Sequence, residues 1–351
     1  MKINKDQVIP SRLNKLKFDY KRGSGHLFAY LMNRFRWHYY PRFRHVAQFP
    51  DHVDIEISSV CDMKCPMCYT ITDEFKSHIK KKFMEFDLFK KIIDECVKYG
   101  TYSIRISLRG EPFIHKNVIE MVRYAKDNGI KEVSSLTNNL AMTPALFKDV
   151  MDAGLDWLTI SFDGLGETYE LIRNPAGFEE SYEKIREYKR IKVEGHSWKP
   201  VIKVQTVWPA IKDNAREYFN AFEPYVDDIA INPLIDYLHK DEDIVYEDNF
   251  ICPVLYQRLA IGSDGIVLLC SNDEFNEHTI GDVNTETIYS IWHGEKLKKA
   301  REIHERHEGV KLLAPCKQCY LPRKTKPVTE YVGHKKIVVD KYINRPDKVG
   351  V

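Results

Sequence analysis

Seven of the eight cysteines in this 351-residue chain fall into two groups. Cys61, Cys65 and Cys68 form a C-x3-C-x2-C run near the start, and Cys252, Cys270, Cys316 and Cys319 follow near the end. Two iron-sulfur clusters would use all seven. The first group supplies three thiolates where a cubane needs four ligands, which leaves one iron open to a group that is not protein. Zinc is the alternative ligand, but it recruits close pairs completed to four ligands, and no His follows Cys68 at ligand spacing. The eighth thiol, Cys96, lies in Lys90-Lys-Ile-Ile-Asp-Glu-Cys96 and reads as packing material on an outer helix.

Cys61-Asp-Met-Lys-Cys65-Pro-Met-Cys68, just after the strand-like Val53–Ser58, resembles the signature of the radical S-adenosylmethionine (SAM) superfamily. That resemblance implies a 4Fe-4S cluster whose open iron binds SAM and splits it to a 5′-deoxyadenosyl radical, which takes a hydrogen atom from substrate. Further contacts follow from the same likeness. Gly110-Glu111-Pro112 is similar to the family's Gly-Gly-Glu-Pro, whose role is to receive the SAM ammonium; here Arg109 replaces the first glycine. Ile160-Ser-Phe-Asp-Gly164 with Tyr169-x3-Arg173 resembles elements that hold the methionyl carboxylate and ribose, which implicates Ser161 and Arg173. Thr137-Asn138-Asn139 stands where the family has Thr-Asn-Gly near the ribose, and Met67 and Tyr69 stand beside the adenine position. Read without the family, these are an Asn-rich turn, core contacts and a surface arginine.

The later cysteines carry a second resemblance. Cys252-Pro, a hairpin Ile261-Gly-Ser-Asp-Gly265-Ile-Val-Leu-Leu-Cys270, then Ile280–Val283, Ile288–Trp292, a charged helix to about His307 and Cys316-Lys-Gln-Cys319 are similar in order to the SPASM/Twitch extension. A full SPASM domain carries seven cysteines for two auxiliary clusters; this chain has four, and Thr325 stands where another is expected. The count resembles the Twitch form of the 2-deoxy-scyllo-inosamine dehydrogenases, with one fully ligated auxiliary 4Fe-4S cluster. Such a cluster cannot bind substrate through iron, so electron transfer is its natural role. The resemblance implies oxidation of a hydroxyl-bearing carbon in a sugar, aminocyclitol or other polyol, with a flavodoxin- or ferredoxin-type reductase as electron source. Arg109, Asp163, Gln205, Asn232 and Asp236 are candidates for the group that accepts the hydroxyl proton. A sugar or peptide epimerase, a SPASM peptide or protein maturase, and a zinc-stabilised binding protein using His304 and His307 stay open as alternatives. The alternating charges of Arg301-Glu-Ile-His-Glu-Arg-His307 favour a solvated helix face over a metal site.

Hydrophobic residues make up 43% and charged residues 30% of the chain, no apolar run approaches the ~18 residues of a spanning helix, and the N-terminus lacks a secretory pattern. A cytoplasmic enzyme with reduced thiols is expected. Net charge is only +2, yet residues 1–50 hold eleven Lys/Arg against Asp6 and Asp19, a net of +9, which leaves −7 for the rest. Within this arm His26–Tyr40 reads as a helix with Phe28, Leu31, Met32, Phe35 and Tyr39 on one side. The simplest expectation is an extra helix packed over the main domain. Peripheral contact with an anionic membrane, a polyanionic substrate or nucleic acid are the alternatives, but no nucleic-acid fold motif accompanies the arm.

The elements that must position these residues begin at about residue 52. Strand patterns at 53–58, 103–108, 132–136, 157–161, 202–207 and 228–232 alternate with helical patterns near 86–98, 118–128, 144–153, 179–193 and 214–222. Six strands alternating with helices predict an α/β fold with a parallel sheet and right-handed crossovers. The family resemblance makes it a partial (β/α)6 TIM-like barrel, with ligands at the carboxyl ends of the strands. The organisation expected is an N-terminal basic aromatic extension over 1–50, a radical SAM barrel over 51–240, a small SPASM/Twitch domain over 241–322 and a tail over 323–351.

Overall fold

The computed structural model describes residues 7–8, 12–232, 243–332 and 335–344. Its strands are β1 (Gln7–Val8), β2 (His52–Ile55), β3 (Ser103–Arg105), β4 (Glu132–Thr137), β5 (Trp157–Ser161), β6 (Val201–Val207), β7 (Asp228–Asn232), β8 (Arg258–Ile261), β9 (Ile266–Leu268), β10 (Thr279–Asp282), β11 (Thr325–Val332) and β12 (Lys335–Tyr342). From β2 to β7 every neighbouring pair is parallel and in chain order. Helices Phe86–Tyr99, Val118–Asp127, Pro144–Asp152, Phe178–Glu194 and Ala215–Phe222 fill the five crossovers. This is an α/β partial barrel of six parallel strands: the alternation predicts the parallel sheet, and the family resemblance the barrel. The strands are buried nearly end to end, which is what a parallel sheet covered by crossover helices requires.

The sheet does not stop at six strands. The order is β1-β7-β6-β5-β4-β3-β2-β8-β9-β10, so the N-terminal arm adds an antiparallel edge to β7 and the C-terminal hairpin continues the sheet from β2. The turn between β8 and β9 uses Gly265 at φ +89, a left-handed conformation that L side chains rarely adopt. The auxiliary region is thereby hydrogen-bonded to the barrel rather than tethered to it. The expected tail is a β11–β12 hairpin between 325 and 342, with contacts to helix Ala215–Phe222 and to β1.

The two N-terminal helices, Arg12–Gly23 and Leu27–Tyr39, cover the amino ends of the barrel strands. Arg22 pairs with Glu132 at the start of β4 at 2.7 Å and lies over Trp157 at the start of β5. Lys21 pairs with Asp227 just before β7, and the Trp37 ring sits edge-on to His52 at the start of β2. The second helix packs through Tyr30 and Asn33, not through the apolar side picked out in the sequence. Phe28, Leu31, Met32, Phe35 and Tyr39 are all exposed, because the inward face is the one whose polar and aromatic groups match the charged strand starts.

The charged helix Glu295–Glu305 also corrects an expectation. Arg301 and His304 are buried, while Glu302 faces solvent. The Arg301 guanidinium donates to the carbonyls of Leu255 and Trp292 and lies over the Trp292 ring, so its charge is used inside rather than solvated. Cys96 is fully buried in the outer helix Phe86–Tyr99, as expected, and burial pushes its thiol up to about 12.

Candidate functional site

Strand ends assemble the site. Cys61, Cys65 and Cys68 lie in the segment after β2, Gly110 and Glu111 after β3, Asn138 after β4, Ser161 at the last position of β5, and Arg173 at the end of the short helix Glu167–Ile172 that follows β5. The structure brings the first three thiols against polar side chains from the other strands. The Asn138 amide Nδ2 reaches the Cys61 sulfur at 3.6 Å and the Asp62 carboxylate at 2.6 Å. An Arg173 Nη1–H points at the Cys65 sulfur at 3.8 Å, while its other Nη holds Asp163. The Cys68 sulfur lies 3.1 Å from the Thr70 hydroxyl.

Glu111 is the electrostatic centre of this cradle. Its side chain is buried and accepts from the Phe113 N–H at 3.1 Å, the Thr137 hydroxyl at 2.9 Å and the Asn138 N–H at 2.7 Å. Those donors only partly offset burial, which pushes the carboxyl up to about 8. Among the described residues no cation pairs with it. A buried carboxylate already fixed by three donors therefore suits an ammonium brought by a ligand. Gly110 lets this segment approach the cysteine loop, since a Cβ there would stand 2.4 Å from the Val60 carbonyl oxygen.

Arg109 has a different place from that of the glycine it replaces. Its Nε and Nη2 grip Glu56 at 2.6 and 2.7 Å, and its Nη1 donates to Asn276 at 2.7 Å in the loop that follows Cys270. The arginine bridges the strand before the first cysteines to the auxiliary region. It and Asp163, which accepts from Arg173 and the Val207 N–H, are engaged in structure and do not stand free as proton acceptors. Gln205 and Asn232 remain at the carboxyl ends of β6 and β7, and the Asn232 Oδ1 is buried without a partner among the described residues. Asp236 lies outside the described residues.

Of the adenine-side residues, Met67 is half-buried against the main core, while Tyr69 is buried in a small cluster with Phe75, Ile79 and Phe275. Phe275 comes from the auxiliary region, so Tyr69 stands where the two parts meet. Ser161 is half-buried beside Gln205 of the next strand.

The second group of thiols is more deeply enclosed. Cys252, Cys270 and Cys316 are buried, Cys319 is half-buried, and all seven cysteines of the two groups are free thiols. Cys270 interacts electrostatically with each of the other three, which brings together residues up to 67 positions apart. Burial pushes Cys252 up to about 11 and Cys319 up to about 12, so iron would have to displace protons from neutral thiols. Two N–H groups face the sulfurs, the Asn272 backbone at 3.4 Å from Cys270 and the Asn272 amide at 3.6 Å from Cys319, and the His304 Nε2 lies 3.4 Å from the Cys316 sulfur. Burial drops His304 to about 4, so it is a neutral imidazole able to donate to sulfur. Among the described residues no three His, Cys, Asp or Glu side chains are grouped as ligands of one metal ion.

Asp62, Glu56, Asn272 and Asn276 carry no signal for the site in the sequence, and His304, a candidate there only for zinc together with His307, stands instead beside Cys316. Glu56 left only the alternation of Val53-Asp-Ile-Glu-Ile-Ser58, in which it is not distinguished from Asp54.

Residues 55–207 match the radical SAM superfamily and residues 252–320 match the SPASM iron-sulfur cluster-binding domain. The chain is a radical SAM enzyme of the SPASM type, with SAM, a SAM-binding 4Fe-4S cluster and auxiliary iron-sulfur chemistry as its cofactors. A tungsten-containing aldehyde ferredoxin oxidoreductase cofactor-modifying protein of Pyrococcus furiosus is 26% identical over 270 residues, 73% of this chain and 72% of that protein. PqqA peptide cyclase of Bradyrhizobium diazoefficiens is 30% identical over 135 residues, 38% of this chain and 34% of that protein. A probable GTP 3′,8-cyclase of Methanococcus maripaludis is 32% identical over 111 residues, so this chain spans about a third of each of these two relatives. Among solved structures, BtrN in complex with AdoMet and 2-DOIA aligns with a TM-score of 0.55 at 16% identity, over 78% of this chain and 94% of that one. Native anSMEcpe with bound AdoMet aligns with a TM-score of 0.55 at 14% identity, over 77% of this chain and 86% of that one. These likenesses are of fold.

Proposed function

We propose that this enzyme oxidises a hydroxyl-bearing carbon of a sugar, aminocyclitol or related polyol to a ketone. When bound, SAM and the two clusters supply a 5′-deoxyadenosyl radical and an electron acceptor, together able to take two electrons from an alcohol carbon. The observation that carries the reading is the C-terminal group of four convergent thiols, enough to ligate every iron of one cluster and leave none for substrate.

In this reading Cys61, Cys65 and Cys68 hold the SAM-binding cluster, and Cys252, Cys270, Cys316 and Cys319 hold the auxiliary one. Glu111 takes the SAM ammonium, and Gly110 keeps the segment bearing it against the cysteine loop. Arg173, steadied by Asp163, faces the ligand carboxylate; Asn138 and Ser161 orient the ribose, and Met67 and Tyr69 border the adenine. Asn232 and Gln205 position the substrate hydroxyl from the ends of β7 and β6. The working parts are then a barrel over 51–240 and an auxiliary domain over 241–322, with the reducing electron supplied by a flavodoxin- or ferredoxin-type protein. The test is mass spectrometry of anaerobic reactions with SAM, reductant and a panel of hydroxylated substrates. A product lighter by two hydrogens supports oxidation; solvent deuterium uptake without net loss replaces it with epimerisation, and turnover of peptides alone replaces it with maturation.

A further inference from the structure

The outward face of the second N-terminal helix is apolar, continuous and bare. Phe28 is 79% exposed, Leu31 57% and Phe35 50%, with Met32 and Tyr39 completing the i, i+3, i+4 stripe. The stripe runs past the end of the helix. The rings of Phe35 and Tyr39 stack at 4.8 Å, those of Tyr39 and Phe43 at 6.3 Å, and Phe43 is 73% exposed. Exposed apolar surface of this extent marks a contact site rather than ordinary scatter.

Charge decides what the contact is. Residues 20–50 contain no Asp or Glu, but six Lys/Arg and three His. Lys21, Arg22 and Arg36 are spent inward on Asp227, Glu132 and Asp51. Arg42 and Arg44 stay exposed beside Phe43 with no carboxylate partner among the described residues, Arg42 lying over the Tyr39 ring at 5.5 Å. A second copy of the chain seated on this face by a two-fold axis would bring like charges together with no acid to answer them. An apolar stripe edged by cations suits a surface that is apolar beneath and anionic on top.

We propose that the face formed by Phe28, Leu31, Met32, Phe35, Tyr39 and Phe43, with Arg42 and Arg44, seats this enzyme on an anionic lipid bilayer. The helix lies in the interface and does not cross it; no helix among the described residues is long and apolar enough to span. Because the inner face of the same helix covers the amino ends of the strands, docking points the carboxyl ends, and the cysteine site, away from the lipid. The enzyme would thus work on a substrate or headgroup that reaches beyond the surface.

Co-sedimentation of the full chain with vesicles of phosphatidylcholine alone, or mixed with phosphatidylglycerol, tests this, alongside sedimentation velocity without lipid. The expected result is binding to the mixed vesicles only, weakened by salt and lowered about tenfold or more by Arg42→Ala with Arg44→Ala. Phe28→Ser with Phe35→Ser should abolish binding while leaving the melting temperature unchanged, since both side chains already face solvent. Equal binding to both vesicle types overturns the proposal. So does no binding to either, and so does a dimer in solution that the phenylalanine variant dissociates.

Discussion

Gly110 and His304 each hold a sulfur environment in place from outside the ligand set. At Gly110 a methyl group would stand 2.4 Å from the Val60 carbonyl oxygen and 2.6 Å from that of Ser58, both in the backbone leading to Cys61. Backbone on both sides leaves no flexible atom to yield. Gly110→Ala is expected to displace the cysteine loop, so iron after anaerobic reconstitution falls from about eight to about four per chain. Eight irons in that variant would show the contact to be harmless. His304 offers a cleaner readout, because it faces Cys316 with its Nε2 at 3.4 Å while its Nδ1 has no partner among the described residues. With iron in place of the Cys316 proton the sulfur can only accept, so His304→Leu removes its imidazole donor and should lower the auxiliary cluster's midpoint potential by tens of millivolts. Redox titration followed by electron paramagnetic resonance measures it, and an unchanged potential rejects the role.

Elements are joined here by buried ion pairs as well as by the sheet. Arg109, on the segment after β3, pairs with Glu56 just beyond β2, and both side chains are almost wholly buried. Glu56 also accepts from the Ser263 N–H at 3.0 Å in the β8–β9 turn, so one carboxylate links three segments. Restoring the family glycine by Arg109→Gly leaves that charge buried and unpaired, a loss of about 3–5 kcal/mol. Urea unfolding measures it, and Glu56→Gln in the same background should recover part of the loss. A midpoint equal to that of the unsubstituted protein would mean that the bridge contributes nothing.

At the scale of the whole molecule, charge is buried at the amino ends of the strands and cofactor chemistry lies at the opposite ends. Asp228 opens β7 on the charged side, where desolvation pushes its carboxyl up to about 6 despite the pull of Lys203. A raised carboxylate binds its proton more tightly folded than unfolded, so its contribution is present below the ordinary value of 3.8 and is lost as pH rises through about 6. Asp228→Asn should flatten the melting curve across that window and stabilise the protein at pH 7 by on the order of 1–2 kcal/mol. The same slope in both proteins would reject the assignment.

The sequence alone specified the chemistry and the barrel: cysteine spacing defines a ligand set whatever the fold, and strand–helix alternation survives in one dimension because it is periodic. Cys61, Cys65 and Cys68 were legible for that reason, whereas Glu111 and Arg173 stood out only through the family resemblance, since by residue type alone they are a turn and a surface arginine. Only the tertiary structure decided which face of a helix is inside. The Phe28–Tyr39 stripe has the periodicity of a core face yet points outward, and Arg301 and His304 sit in a charged helix yet are buried. Periodicity reports that a helix has two faces; what fills the space beside each is set by residues distant in the chain, here Glu132, Trp157, Leu255 and Cys316. The bridge from Arg109 to Glu56 was hidden for the same reason, since 53 residues separate two charges that meet only when parallel strands align.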